Sequence, residues 1–313
     1  MFKTIGAGLM ATAIAFSISS CATDSSAQND DAMTIGLSIG IESDFFNQFR
    51  QAMEDEAEKQ GINLIAFNAN GDPNAQVNHI QDFIVQGADA IIYIAAGAGA
   101  AGVPVKNARA AGIPVVTVDR DPEDEPGDTF IATESVASSK QLGEYVIEQT
   151  GGTGNLGIIQ GQVGTTPELD RDKGFTAAMN SAPGIKEVAR QASKLWAQEE
   201  GFTIAQDMLS AHPEVNVIFA RADGMALGAI QAVRTAGRED IQIYGHDGDP
   251  AALQAVLDGT LRATMTQQNQ LMGRLAIESA VKLANGEEVP REQLQEAILT
   301  TKENAAEFLK THP

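Results

Sequence analysis

One cysteine, Cys21, stands in the whole 313-residue chain, so no disulfide can form within it. Lysine and arginine number 21 against 42 aspartate and glutamate, a formal net charge of −21. That balance excludes nucleic-acid binding through a basic field; it reads as a solubility feature suited to a salty medium. Four histidines (His79, His212, His246, His312) are scattered without metal-ligand spacing. No G-x-S-x-G elbow is present. The acid-rich stretch 119–128, "DRDPEDEPGD", lacks the glycine of a calcium loop and reads as a solvated loop. Neither a metal nor a cofactor is therefore expected. Aromatics are scarce at 5%, with a single tryptophan, Trp196, whereas glycine is plentiful at 30 residues, as in α/β folds with many tight βα turns.

What is present begins with a leader. Residues 1–20, "MFKTIGAGLMATAIAFSISS", carry one lysine, then an uncharged apolar run, then small residues: the pattern of a secretory signal peptide. Ser and Gly dilute the run and a polar tail follows, so a membrane span is not the reading. "ISSC" resembles a bacterial lipobox, which makes Cys21 the expected lipidated residue; a plain signal peptide with a chance cysteine is the other reading. Residues 21–33 then form the lipidated cysteine and a flexible polar tether.

From residue 34 onward, apolar runs of strand length alternate with amphipathic stretches of helix length. The candidate strands are 34–40, 62–67, 89–95, 113–118, 128–132, 155–160, 185–191, 215–220, 241–245 and 260–266. Phe45, Phe49, Met53 and Ala57 recur on one face of a predicted helix over 45–60. "DPNAQVNHIQDFIVQG" (72–87) opens with Asp72 as N-cap and Pro73 at the first helical position. Nearly continuous apolar strands alternating with helices predict parallel sheets covered on both faces. There are too many strands for one such sheet, so two similar lobes are expected, with 133–135 "TES" as a crossing. In open α/β sheets ligands sit beyond the carboxyl ends of strands. Asp119, Arg120, Asp223, Asp247 and Gln267 all follow apolar runs. Asp223 stands at a helix start and reads as a cap.

"GAGAAG" (97–102) matches the dinucleotide fingerprint G-x-G-x-x-G, follows a predicted strand, and has Asp119 about twenty residues on. Pro104 moves the helix start later than that motif requires, and two βα units precede it. A small-residue loop leading into a helix is the preferred reading, with an NAD-dependent enzyme as the alternative.

Several segments in order, "DFFNQFRQAMEDEAEKQG", "IPVVTVDR", "RDKGF", "LSAHPEVNVIFARADGMALGAIQAV" and "IYGHDG", resemble the periplasmic sugar-binding proteins of the ribose-binding type. The resemblance implies an α/β fold of two Rossmann-like lobes with parallel sheets, joined by a three-strand hinge: 34–133 plus 268–295, and 134–267 plus 296–313. It implies a monomeric, extracytoplasmic, lipid-anchored protein that is not an enzyme. Such a protein captures a monosaccharide or polyol and delivers it to the permease of an ABC importer; presenting ligand to a membrane receptor is the alternative use. A lactose-repressor-type regulator shares the fold, but it would need a helix-turn-helix where the leader and tether stand.

Carried over position by position, the resemblance implies that Phe45 and Phe46 stack on the sugar and that Asp119 and Arg120 form the acid–base pair after the fourth strand. Arg171 is the arginine of the R-x-x-G-F segment, Trp196 the second-lobe aromatic, His246 and Asp247 the aromatic–Asp pair, and Gln267 the hinge glutamine. Ala222 stands where the ribose-type pattern has asparagine, which removes a polar contact. Gly40, Ser43 and Asp44 occupy a first-strand loop one residue shorter than usual. The chemistry suits a sugar: carboxylates accept from hydroxyls, guanidinium donates in a fixed fork, and aromatic faces cover the C–H surface.

Overall fold

A computed structural model describes Met1 and residues 32–311. The expected leader, Cys21, most of the tether and His312 lie outside the described residues. The chain opens with β1 (Thr34–Ile39), α1 (Asp44–Gln60), β2 (Asn63–Asn68), α2 (Pro73–Val85), β3 (Ala90–Tyr93), α3 (Gly102–Ala110), β4 (Val115–Val118) and β5 (Thr129–Thr133). Then come α4 (Ser135–Thr150), β6 (Gly154–Gln160), α5 (Thr166–Met179), β7 (Ile185–Ala192), α6 (Gln198–Ala211), β8 (Val217–Ala220), α7 (Asp223–Thr235), β9 (Gln242–Tyr244), α8 (Pro250–Asp258) and β10 (Thr264–Thr266). The final segment holds α9 (Asn269–Ala284), β11 (Glu292–Gln295), β12 (Ile298–Thr300) and α10 (Ala305–Phe308).

Two parallel sheets result. The first has the order β11-β5-β4-β3-β1-β2 and the second β7-β6-β8-β9. β10 and β12 form an antiparallel pair, tied to the end of β9 by parallel bridges Tyr244–Ala263 and Asp247–Thr266. The chain passes between the two sheets after β5, after β10, and between β11 and β12. Strands such as AIIY and VVTV are buried along their whole length, because crossover helices cover both faces of a parallel sheet. β7 (IKEVARQA) instead exposes Lys186, Glu187 and the polar residues near its end. Charged side chains suit an edge strand, where they discourage pairing with another chain.

Local chemistry sets the helices that matter for the site. Ser43 caps α1, its hydroxyl accepting from the Phe46 N–H at 3.2 Å, and Gly61 ends the helix in the left-handed conformation. Phe45, Phe49, Met53 and Ala57 are buried and pack with Met272, Ala276, Ile277 and Ala280 of α9. Asp72 caps α2 through the Asn74 N–H at 2.8 Å, with Pro73 at the first position. α3 starts only at Gly102, the last glycine of "GAGAAG". Asp223 departs from the capping expectation. The N-cap of α7 is Ala222, and the Asp223 carboxylate accepts from the Gly248 and Asp249 N–H groups (2.7 and 3.0 Å) and the Thr264 hydroxyl (2.8 Å). It thereby holds the loop after β9 against β10.

Candidate functional site

The carboxyl ends of both sheets converge on a cavity of about 560 Å³. Phe45, Phe46, Asp119, Arg120, Arg171, Trp196, Ala222 and Asp247 all line it. They reach it from six places in the chain: the start of α1, the end of β4, the middle of α5, the loop before α6, the loop after β8 and the loop after β9.

Two acid–base pairs frame the interior. Asp119 and Arg120 lie 3.4 Å apart, and Arg120 also donates to the Ala95 carbonyl at 3.0 Å and to Gln162 at 3.4 Å. Arg171 pairs with Asp247 at 3.1 Å and donates to the Arg221 carbonyl, while its Nε has no hydrogen-bond partner. All four side chains are buried. Burial pushes the Asp119 carboxyl up, against the pull of the Arg120 and Arg171 guanidiniums. The same burial lowers Arg120, with Asp119 pulling it back. Neither member is comfortable alone, which keeps the pair together.

Aromatic rings supply the apolar walls. Arg120 lies 5.6 Å over the Phe46 ring and 5.8 Å over Trp196, and Arg171 lies 5.6 Å over Trp196, so the one indole carries both guanidiniums. Trp196 reaches this place because Gly161 has no side chain: a Cβ there would fall 1.9 Å from the indole. The Trp196 N–H donates to Ser193 Oγ at 2.7 Å, and its buried ring Nε1 has no partner. Phe45 and Phe46 serve both as core, packed in the α1–α9 cluster, and as cavity wall.

His246 and Gln267 do not line the cavity. They stand behind Asp247. Gln267 donates to Asp247 Oδ1 at 2.7 Å and accepts from the Thr133 hydroxyl, linking two of the passes between the sheets. His246 is fully buried, 3.3 Å from Ser138 Oγ and 3.5 Å from Asp247. Burial first, then Arg171, lowers its imidazole to about 4, so it is neutral at pH 7.

Backbone strain marks the same site. Among the described residues five non-glycine positions have positive φ, and four of them line the cavity: Asn70, Asp119, Trp196 and Asp247. Such conformations cost about 1–3 kcal/mol each and cluster where a side chain must be aimed.

Sequence reasoning missed Asn70, Gln198, Glu199 and above all Asp249. Asp-Pro before an apolar run reads as a helix cap, and Asp249 does stand at the N-cap position of α8. Its side chain makes no capping bond, however. It is buried in the cavity wall and accepts from Gln48 Nε2 at 3.2 Å. Burial, then Asp247, Asp223 and Asp44 push its carboxyl well above the ordinary range. Burial and Asp247 likewise push Asp223 up to about 7. No group of described residues is arranged to hold a metal ion. The "GAGAAG" glycines are absent from this cavity; Gly97, Ala98 and Ala101 line a separate cleft beside Asp121 and Thr166.

Comparisons with known proteins agree with this architecture. The family profile described as "Periplasmic binding protein domain" matches residues 35–288. The ribose import binding protein RbsB of Bacillus subtilis is 31% identical over 271 residues, covering 86% of this chain and 88% of its own. A xylitol-binding protein of Mycolicibacterium smegmatis is 30% identical over 303 residues, 96% of this chain and 86% of its own. Among solved structures, an ABC transporter solute-binding protein from Bacillus halodurans with bound myo-inositol superposes with a TM-score of 0.84 at 29% identity, covering 90% of this chain and 99% of that one. With two parallel sheets meeting at one lined cavity, and with a profile match spanning both, the chain belongs to the periplasmic binding protein family.

Proposed function

We propose that the chain is an extracytoplasmic solute-binding protein that captures a monosaccharide or related polyol in this cavity and delivers it to an ABC importer. The observation that carries the reading is the wall itself: Phe45, Phe46 and Trp196 line one space together with the Asp119–Arg120 and Arg171–Asp247 pairs. That is the surface a polyhydroxylated ring presents in reverse, with hydroxyls at its edge and C–H groups on its faces. Relatives named for ribose and xylitol, and a neighbour solved with myo-inositol, support the same class.

In this reading the lobes are 34–133 plus 268–295 and 134–267 plus 296–313, and they close as hinges on bound ligand. Closure follows if ligand makes contacts in the closed state that the open state lacks. Trp196 reports occupancy. Titration with a panel of pentoses, hexoses and inositols is expected to change its fluorescence with one-site saturation. Ligand at a hundred times its dissociation constant is expected to add about 2.7 kcal/mol of stability. NAD is expected to do neither; binding of NAD with silence from every sugar and polyol would replace this reading with the dinucleotide one.

A lipid on Cys21 would keep the protein at the membrane. Cys21→Ser is expected to move it from the membrane fraction to the soluble one; unchanged fractionation would remove the anchor.

A further inference from the structure

The charge around the cavity is unbalanced. Six carboxylates line it, Glu42, Asp44, Asp119, Glu199, Asp247 and Asp249, against two guanidiniums, Arg120 and Arg171. Both guanidiniums are already engaged, Arg120 by Asp119 and Arg171 by Asp247. Asp249 has no ion pair among the described residues; the amide of Gln48 is its side chain's partner. Yet it is only 7% exposed and sits among Asp223 and Asp247, at 0% and 4%. Three buried carboxylates thus share one cation, Arg171. An uncompensated buried charge is among the more destabilising features a fold can carry. A cation arriving with the ligand would remove that penalty at the moment of binding.

The rest of the wall restricts what that ligand can be. The unpartnered Arg171 Nε is a donor suited to a hydroxyl oxygen, and the three aromatic rings suit a ring's C–H face. Resting on the reading of the cavity as a sugar or polyol site, we propose that its ligand is an amino sugar or amino-polyol whose ammonium group is held by Asp249. Hydroxyls meet the Asp119–Arg120 and Arg171–Asp247 pairs, and the ammonium supplies the cation that the loop after β9 lacks. The groups facing Asp249 are Asp44 from α1, Asp223 from α7, and Asp247 with its partner Arg171 from α5. Every one but Arg171 repels a second negative charge and attracts a positive one. Burial and these neighbours push the Asp249 carboxyl well above the ordinary range, and an ammonium beside it would draw it back down.

The test is calorimetric titration of the full chain with matched pairs: glucose and glucosamine, galactose and galactosamine, myo-inositol and an aminodeoxy-inositol. At least one amino member is expected to bind tenfold or more tighter than its neutral parent. Repetition in buffers of different ionisation enthalpy is expected to show proton exchange with the amino member and none with its neutral parent. Asp249→Asn, with its fold checked by circular dichroism, is expected to abolish that preference, so that amino member and neutral parent bind alike. Neutral members binding as tightly as amino members on the unaltered chain would overturn the ammonium assignment and leave the sugar site standing. Silence from every member of every pair would overturn both.

Discussion

The ends of β4 and β9 solve one problem in two ways. Each ends a buried strand, and each soon presents an aspartate in a positive-φ conformation, Asp119 at 62° and Asp247 at 135°. At β4 the cation comes from the next residue, Arg120, so the pair is complete within one segment. At β9 the cation comes from α5, 76 positions away in the chain, and it must serve Asp247 beside Asp223 and Asp249. The first end is neutral by itself; the second depends on its surroundings and stays short of positive charge. Self-contained pairs make robust contacts, whereas borrowed ones couple distant segments, here β9, α5 and, through Gln267, the pass at Thr133.

The largest expected effect comes from breaking the borrowed pair. Asp247→Ala would leave Arg171 with only the Arg221 carbonyl, the Gln267 amide without its acceptor and the Asp223 N–H with only the His246 carbonyl. Removing one partner of a buried ion pair costs about 3–5 kcal/mol, here partly offset by relieving the repulsion on Asp223 and Asp249. Sugar binding is expected to disappear and denaturant unfolding to shift clearly.

Asp119→Ala is expected to act more narrowly. Arg120 keeps Ala95 and Gln162 as acceptors, so fold stability should fall less than in Asp247→Ala. Affinity should fall by about 1.5–3 kcal/mol, roughly ten- to a hundredfold, because ligand hydroxyls lose their acceptor. Equal destabilisation by the two variants would erase the contrast between the two strand ends.

The smallest effect is in the pH dependence of stability. His246 falls from 6.5 to about 4 on folding, so its contribution is full above 6.5 and is lost as pH drops toward 4. Asp223 rises from 3.8 to about 7, so its contribution is full below 3.8 and is lost as pH climbs toward 7. The two slopes oppose each other across that window. Asp223→Asn removes the falling one. Its stability relative to the unaltered chain is therefore expected to rise with pH, measured by denaturant unfolding at several pH values. A pH-independent difference would place Asp223 in the same charge state folded and unfolded.

Most of the fold was legible because parallel strands covered on both faces must be apolar nearly throughout. All ten expected strands are present, with ends shifted by up to about four residues. β11 and β12 were not legible. "EQLQ" is half-exposed and pairs on one side only, with β5, so no apolar run announces it. Within the site, Asp119 and Arg120 could be read from adjacency at a strand end. Asp247 and Gln267 could likewise be read as polar ends of apolar runs, whereas Arg171 and Trp196 entered through resemblance. Asp249 was hidden by a Pro that makes any preceding Asp look like a cap.

The sequence by itself determined the alternation of strand and helix, the helix caps at Ser43 and Asp72, and the polar residues that end the strands. These follow from local periodicity and backbone chemistry, which act within a few residues. The tertiary structure alone decided that Asp247 meets Arg171, that Gly161 makes room for Trp196, that His246 and Gln267 stand behind the wall, and that three carboxylates share one cation. Those depend on burial and on contacts between segments far apart in the chain. Burial is also what turns an ordinary aspartate into a group with a charge to be answered.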